Sequence, residues 1–135
     1  MSEKTIFLSG KRKEAVAKIR ISSGTGQVFY NKHPYSSLRI FHNLALEEPV
    51  RICKETIGHF NFDVHIKTSG GGKEGQIQAA RLGIAKALVK ITNSAELKKA
   101  FLKYDRNLLV ADIRRKEAYK PGDSKARAKR QKSYR

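Results

Sequence analysis

A glycine-rich stretch in the middle of the chain carries the residue types that bind phosphate. Residues 68–76 read Thr-Ser-Gly-Gly-Gly-Lys-Glu-Gly-Gln, so a backbone that can take positive φ values leads at once to a lysine. Free N–H groups and the positive dipole end of a following helix favour an anion at such a place. The stretch therefore predicts a phosphate contact made by Gly71, Gly72, Lys73 and Gln76.

Two elements must hold this stretch in place. Before it, apolar and polar residues alternate over residues 60–67, which is the period of a half-buried strand. His65 falls on the polar side of that strand, where it could contact RNA. After it, apolar residues recur at three- and four-residue spacing and predict a helix over about residues 75–91.

The same glycines also match a different phosphate-binding pattern. Gly70, Gly72 and Gly75 have the spacing of the dinucleotide fingerprint, but that fingerprint needs a parallel strand after the helix and the pattern offers none. A Walker A loop fails because Lys73 is followed by Glu74 rather than by Ser or Thr. We therefore expect no nucleotide cofactor, no small-molecule substrate and no catalytic or metal site.

The composition favours a polyanionic partner. Lys and Arg number 29 against 12 Asp and Glu, a formal charge of +17, and nucleic acid is the first candidate. A membrane surface is the rival, but no apolar run of about eighteen residues is present. The single Cys53 cannot form an internal disulfide and is expected to pack in a helix. These features predict a soluble cytoplasmic protein of one globular domain.

Patterns elsewhere predict further elements. In chain order these are strands at 5–8 and 14–22, a hairpin partner of the second strand at 27–30, a short helical piece at 35–42, a helix from Glu47 to about Ile57 with Pro49 in its first turn and Gly58 at its end, and a last helix capped by Asn93 that runs to about Tyr104.

Cations cluster at the start of the second strand and on the long helix. Lys11, Arg12 and Lys13 are adjacent, and three neighbouring cations on so basic a chain predict contact with an RNA backbone. Arg81 lies on the long helix, where RNA contact and a solvated face are equally open interpretations.

The C-terminal segment is the most basic part of the chain. Residues 114–135 hold ten basic and two acidic residues, +8 of the total charge. Such a segment is expected to be disordered alone and to order against RNA, where Tyr119 and Tyr134 can stack on bases. Its candidate RNA contacts are Arg114, Arg115, Lys116, Lys120, Lys125, Arg127, Lys129 and Arg130.

Three stretches together form a recognisable pattern. They are residues 10–17, Gly-Lys-Arg-Lys-Glu-Ala-Val-Ala; the glycine stretch with residues 83–88, Gly-Ile-Ala-Lys-Ala-Leu; and residues 112–135, which end Gln-Lys-Ser-Tyr-Arg. In this order they resemble the universal family of the ninth protein of the small ribosomal subunit. The Lys-Ser-Tyr-Arg ending is similar to the archaeal and eukaryotic branch of that family.

The resemblance implies both a fold and a function. The fold would be α+β, a small mixed sheet with helices on one face and a left-handed βαβ unit, like the second domain of ribosomal protein S-five. Residues 1–112 would form the globular RNA-binding domain and residues 113–135 an extended basic tail. The protein would bind the 3′ domain of small-subunit rRNA in the head, beside neighbouring head proteins. The candidate contacts of the tail with P-site tRNA during translation are Lys132, Tyr134 and Arg135.

One alternative stays open on the sequence alone. A free single-stranded nucleic-acid-binding protein, or an RNA chaperone, would use the same cations without belonging to a fixed assembly.

Overall fold

A five-stranded mixed sheet with three helices forms the folded part of the chain. The computed structural model describes residues 4–122 and 124–128. The elements are β1 (Ile6–Arg12), β2 (Ala15–Ser23), β3 (Val28–Tyr30), β4 (His33–Pro34), α1 (Ile40–Ile57), β5 (Phe62–Ser69), α2 (Lys73–Thr92) and α3 (Ala95–Tyr104), with short 3-10 turns at Tyr35–Ser37 and Arg106–Leu108. The α+β class is confirmed.

The order of strands in the sheet is β1-β2-β5-β3-β4. β3 and β5 run parallel, and the other neighbouring pairs are antiparallel. Parallel neighbours need a crossover connection, and α1 lies in that connection, so β3, α1 and β5 form a βαβ unit. The hand of this crossover stays a prediction.

The predicted pairing of residues 27–30 with the second strand is wrong. β5 lies between β2 and β3 and pairs with β2 along eight residues, from Val16 opposite Ser69 to Ser23 opposite Phe62. The turn after β2 instead covers the start of β5, where one oxygen of Asp63 accepts hydrogen bonds from the N–H groups of Thr25, Gly26 and Gln27. These bonds lower the pKa of the Asp63 carboxyl. Hydrogen bonds donated to the Asp63 carboxylate thus hold a turn that composition alone would assign to a hairpin.

The core lies between the sheet and the helices. Alternate strand residues such as Ile19, Ile21 and Val64 are buried, and α2 packs on β1 and β2 while α1 packs on α2. The approach of α2 to the sheet is close: a Cβ on Gly10 would lie 2.0 Å from the Ala79 carbonyl oxygen. Only glycine fits there, because real side chains do not approach a carbonyl that closely.

Helix α1 is longer than its pattern predicts. It begins at Ile40, so Pro49 lies inside the helix rather than in the first turn. An internal proline removes one helical hydrogen bond, and burial of Pro49 with its neighbours Leu46, Val50 and Cys53 offsets that loss. Gly58 ends the helix with a φ of +91°, as predicted. The predicted helical piece at 35–42 divides into the first 3-10 turn and the start of α1.

The expected cap of the last helix is displaced by one residue. Asn93 ends α2 with a φ of +50°, a left-handed conformation that asparagine tolerates. Ser94 is the N-cap of α3, and its hydroxyl oxygen accepts the Leu97 N–H at 3.2 Å. The end of the helix at Tyr104 is confirmed.

Beyond the second 3-10 turn the chain has no regular secondary structure over residues 111–120. A domain boundary near residue 112 stays a prediction. Among the described residues no helix combines the length and the apolar character needed to cross a membrane.

Candidate nucleic-acid interface

The glycine stretch joins β5 to α2, as the sequence predicts, and its glycines have different roles. Gly70 and Gly71 have φ values of +70° and +59°, and a Cβ on Gly70 would lie 2.6 Å from the carbonyl oxygen of Glu14. Backbone conformation and close packing therefore require both. Gly72 has a φ of −102°, and a Cβ there would meet no atom within 4 Å. The fold itself gives no reason for a glycine at position 72.

The N-terminus of α2 begins at this third glycine. Gly72 is the N-cap, and no side chain in the described part of the chain caps the helix. Lys73 is exposed at the first helical position, and Glu74 Oε1 lies 2.7 Å from His42 Nε2, at hydrogen-bond distance. Uncapped N–H groups beside a free ammonium can bind an anionic oxygen.

Gln76 holds the loop together rather than projecting freely. Its Nε2 donates to the Gly70 carbonyl oxygen at 3.0 Å, and its Oε1 accepts from the Thr68 hydroxyl at 3.3 Å. Asn31 in turn accepts the Thr68 N–H at 3.0 Å. The predicted contact residue Gln76 is thus placed to fix the path of the glycines.

The turn between β1 and β2 packs against this loop. Lys13 occupies it with a φ of +53°, and a Cβ on Gly71 would lie 3.0 Å from Ala15. Arg115 reaches the same turn, because its Nη1 donates to the Lys13 carbonyl oxygen at 2.6 Å. Segments that are far apart in sequence therefore meet at one end of the sheet. We call this region the cationic end, and its basic residues are Lys11, Arg12, Lys13, Lys73, Arg114 and Arg115.

Asp112 neutralises two members of the cationic end. Its carboxylate lies 2.7 Å from Arg12 Nη1 and accepts from Arg114 Nη2 at 2.7 Å. Hydrogen bonds from Arg114, with the charge of Arg12, lower the pKa of the Asp112 carboxyl to about 2. Since Asp112 stays ionised near neutral pH, its pair with Arg12 ties the start of the C-terminal segment to β1.

Arg81 is also held by carboxylates. Its Nε donates to Glu48 at 2.6 Å, and Nη1 and Nη2 both lie 3.3 Å from one oxygen of Asp105. Only 12% of its side chain is exposed. This guanidinium links α1, α2 and the turn after α3, and the two carboxylates occupy its donors.

The lysines of the cationic end differ from these arginines. Lys11, Lys13 and Lys73 are exposed, and within the described ranges no carboxylate lies at ion-pair distance from them. Farther along, Lys116 lies 4.3 Å from the centre of the Tyr119 ring, and Arg127 pairs with Glu117. Two more predicted contacts are exposed, Lys120 and Lys125. The remaining predicted contacts lie outside the described residues: Lys129, Arg130, Lys132, Tyr134 and Arg135.

Cys53 is buried, which confirms the prediction that it packs in a helix. Burial raises the pKa of its thiol to about 11. A protonated, buried thiol is a poor nucleophile.

The sequence analysis missed one candidate surface, of which it had identified only His65. The face of the sheet opposite the helices, here called the open face, consists of Phe7, Lys18, Arg20, Phe29, His65 and Lys67. The signal that could have found it is the alternation in β2, where Lys18 and Arg20 occupy the side opposite the buried isoleucines. The order of strands, which places Phe7 and Phe29 on the same surface, could not be read from that alternation.

The fold and the cationic end together define a basic α+β protein. In the described residues, no strand of a dinucleotide-binding unit follows its glycine loop and helix. Residues 10–135 match the sequence profile of the family described as ribosomal protein S9/S16. The chain belongs to that family, whose members are ribosomal proteins of the small subunit and not enzymes.

Curated relatives agree with this assignment. The small ribosomal subunit protein uS9 of Methanococcus vannielii is 42% identical over 135 residues, which cover 98% of this chain and 99% of the relative. Proteins of the same name from Methanococcus maripaludis strains C7 and C5 are 42% and 41% identical over the same shares. These archaeal relatives confirm the family resemblance seen in the motifs.

Proposed function

We propose that this protein is a structural constituent of the head of the small ribosomal subunit, where residues 1–112 bind the 3′ domain of the rRNA beside neighbouring head proteins. The observation that carries the proposal is the packing of the β1–β2 turn, which carries Lys13, against the glycine loop at the uncapped N-terminus of α2, where Lys73 is exposed. In this proposal the crossover from β3 through α1 to β5 is left-handed, as in the family that the motifs resemble.

The two kinds of cation have separate parts in the proposal. The exposed lysines contact RNA phosphates and release counterions, so affinity falls with salt at a log–log slope of about −0.7 to −0.9 per phosphate neutralised. Arg12, Arg81 and Arg114, which carboxylates already hold, act mainly by fixing the elements that present those lysines.

The C-terminal segment extends the contact. Its cations from Lys116 onwards follow rRNA phosphates, and its last residues, Lys132, Tyr134 and Arg135, reach the P-site tRNA. The charge of +8 over residues 114–135 supports a polyanionic partner for this segment, and the names of the relatives support the ribosome as its place. The alternative, a free single-strand binder or RNA chaperone, has the same charge but no fixed assembly.

Gly72 gives a test that separates function from folding. Aspartate is a strong N-cap, and a negative charge at a helix N-terminus is favourable, so Gly72→Asp keeps or raises the melting temperature. The same carboxylate occupies the α2 N–H groups and repels phosphate. We expect at least about a tenfold loss of affinity for the 3′ domain of small-subunit rRNA, measured by filter binding at fixed salt.

Ala95→Asp is the matched control. Ala95 is the exposed first residue of α3, so this variant adds the same charge at another helix N-terminus. It should bind rRNA nearly as tightly as the native chain. Equal losses of rRNA affinity in both variants would show that the effect comes from net charge alone. An unchanged affinity in Gly72→Asp would show that the glycine loop is not part of the interface.

A further inference from the structure

The open face carries a row of aromatic and cationic side chains. Strand register aligns Phe7 with Arg20, Arg20 with His65, and His65 with Phe29, so the row crosses β1, β2, β5 and β3. The two ends of the row are three strand spacings apart, about 14 Å. The sheet backbone therefore fixes two aromatic sites with a guanidinium between them.

Both aromatic sites are open to a planar partner. Phe7 is 71% exposed, a large apolar surface for one strand residue. At the other end the Phe29 and His65 rings are stacked, with centroids 5.0 Å apart and an interplanar angle of 10°. Stacked rings on a rigid sheet form a platform on which a further ring can lie at low entropic cost.

The charge of the open face is predominantly positive. Lys18 lies opposite Lys67 in the row beside the aromatics, and Lys32 lies at the rim. In the described part of the chain neither these lysines nor Arg20 lie within ion-pair distance of a carboxylate. Asp63, at the start of β5, accepts hydrogen bonds from N–H groups of the turn after β2. The face is therefore complementary to a polyanion that also presents rings.

We propose that the open face binds unpaired nucleotides of one strand of ribosomal RNA. One base stacks on Phe7 and another on the Phe29–His65 pair, while Arg20 and the lysines bind the phosphates between them. Bases in a duplex are covered on both faces by their neighbours, so stacking of this kind selects unpaired nucleotides. The inference rests on the proposed rRNA binding but uses a surface separate from the cationic end.

The test uses the full chain and a single-stranded RNA of about ten nucleotides that contains 4-thiouridine. Affinity is measured by fluorescence anisotropy, and cross-linked peptides are identified by mass spectrometry. Phe7→Ala combined with Phe29→Ala should weaken binding by about thirtyfold or more, since stacking contributes about 1 kcal/mol or more per base and two stacking sites are removed. Cross-links to β1 and β3 should disappear, and Phe7→Tyr with Phe29→Tyr should retain both binding and cross-links.

Phe41→Ala is the matched control, because Phe41 is 81% exposed but lies on α1, away from the open face. It should leave affinity and cross-links unchanged. A duplex of the same length should bind the native chain and the double alanine variant equally well.

Three results would overturn the inference. The first is native affinity and cross-linking in the double alanine variant. The second is an equal loss of affinity for single strand and duplex in that variant. The third is unchanged RNA binding by that variant together with loss of a neighbouring protein from subunits reconstituted with it. If Gly72→Asp still weakens rRNA binding in those cases, the proposed contact at the cationic end is retained and the proposed contact at the open face is rejected. The reverse pattern would remove the cationic end and keep the open face.

Discussion

At the scale of single residues, the sequence shows where cations are but not which of them are free. The run Lys11-Arg12-Lys13 looks uniform, yet Arg12 is paired with Asp112 while its neighbours are exposed. The partner is 100 positions away, and no local pattern reveals such a pair. Of the predicted contact residues, the exposed lysines stay predictions, whereas Arg81 and Gln76 are engaged within the protein.

Arg81 provides the prediction at this scale. Arg81→Gln removes the cation between Glu48 and Asp105, which leaves two carboxylates facing each other in a partly buried position. We expect unfolding free energy to fall by about 2 kcal/mol in denaturant titrations, while rRNA affinity corrected for the folded fraction stays close to native.

Lys73→Gln is the complementary variant. It removes an exposed charge without a partner carboxylate in the described residues, so stability should hardly change while rRNA affinity and its salt slope both fall. An Arg81→Gln protein that keeps its stability but loses RNA affinity would place Arg81 back in the interface.

At the scale of elements, periodicity located the helices and strands better than it located their partners. The alternation over 60–67 and the helical stripe after the glycines correspond to β5 and α2, because one-sided burial imposes those periods. The insertion of β5 between β2 and β3 depends on contacts at long sequence separation, which a local pattern does not contain. Pro49 misled for a related reason: packing of α1 outweighs the hydrogen bond that proline removes.

Close packing of α2 on the sheet gives the prediction at this scale. Gly10→Ala would place a methyl group 2.0 Å from the Ala79 carbonyl oxygen, and a Cβ on Gly83 would likewise meet Ile19 at 2.0 Å. Helix and strand must separate, at a cost of about 2–3 kcal/mol in unfolding free energy. Ser9→Ala, an exposed neighbour on β1, should cost less than about 0.5 kcal/mol. A Gly10→Ala protein with native stability in urea titration would show that the helix can move away freely.

At the scale of the whole molecule, charge is divided between a folded part and a terminal segment. Residues 114–135 carry +8 of the +17, and the remainder lies on a body whose last regular element ends at Leu108. Composition predicts this division, because a segment with so few apolar residues cannot form a core. It could not predict that Asp112 and Arg115 attach the start of the segment to the β1–β2 region.

Deletion of residues 120–135 tests whether the two parts have separate partners. The deletion removes seven basic residues and one acidic residue but no helix or strand of the described fold. The truncated chain should melt like the native protein and still sediment with small subunits in sucrose gradients after a high-salt wash. Affinity of those subunits for P-site tRNA should fall by about tenfold, because several charge-assisted phosphate contacts are lost.

Substitution of only Lys132, Tyr134 and Arg135 by alanine should reproduce most of the tRNA effect. Unchanged tRNA affinity would remove the tRNA contact from the tail, and release of the native chain by the wash would favour a free RNA chaperone over a ribosomal constituent.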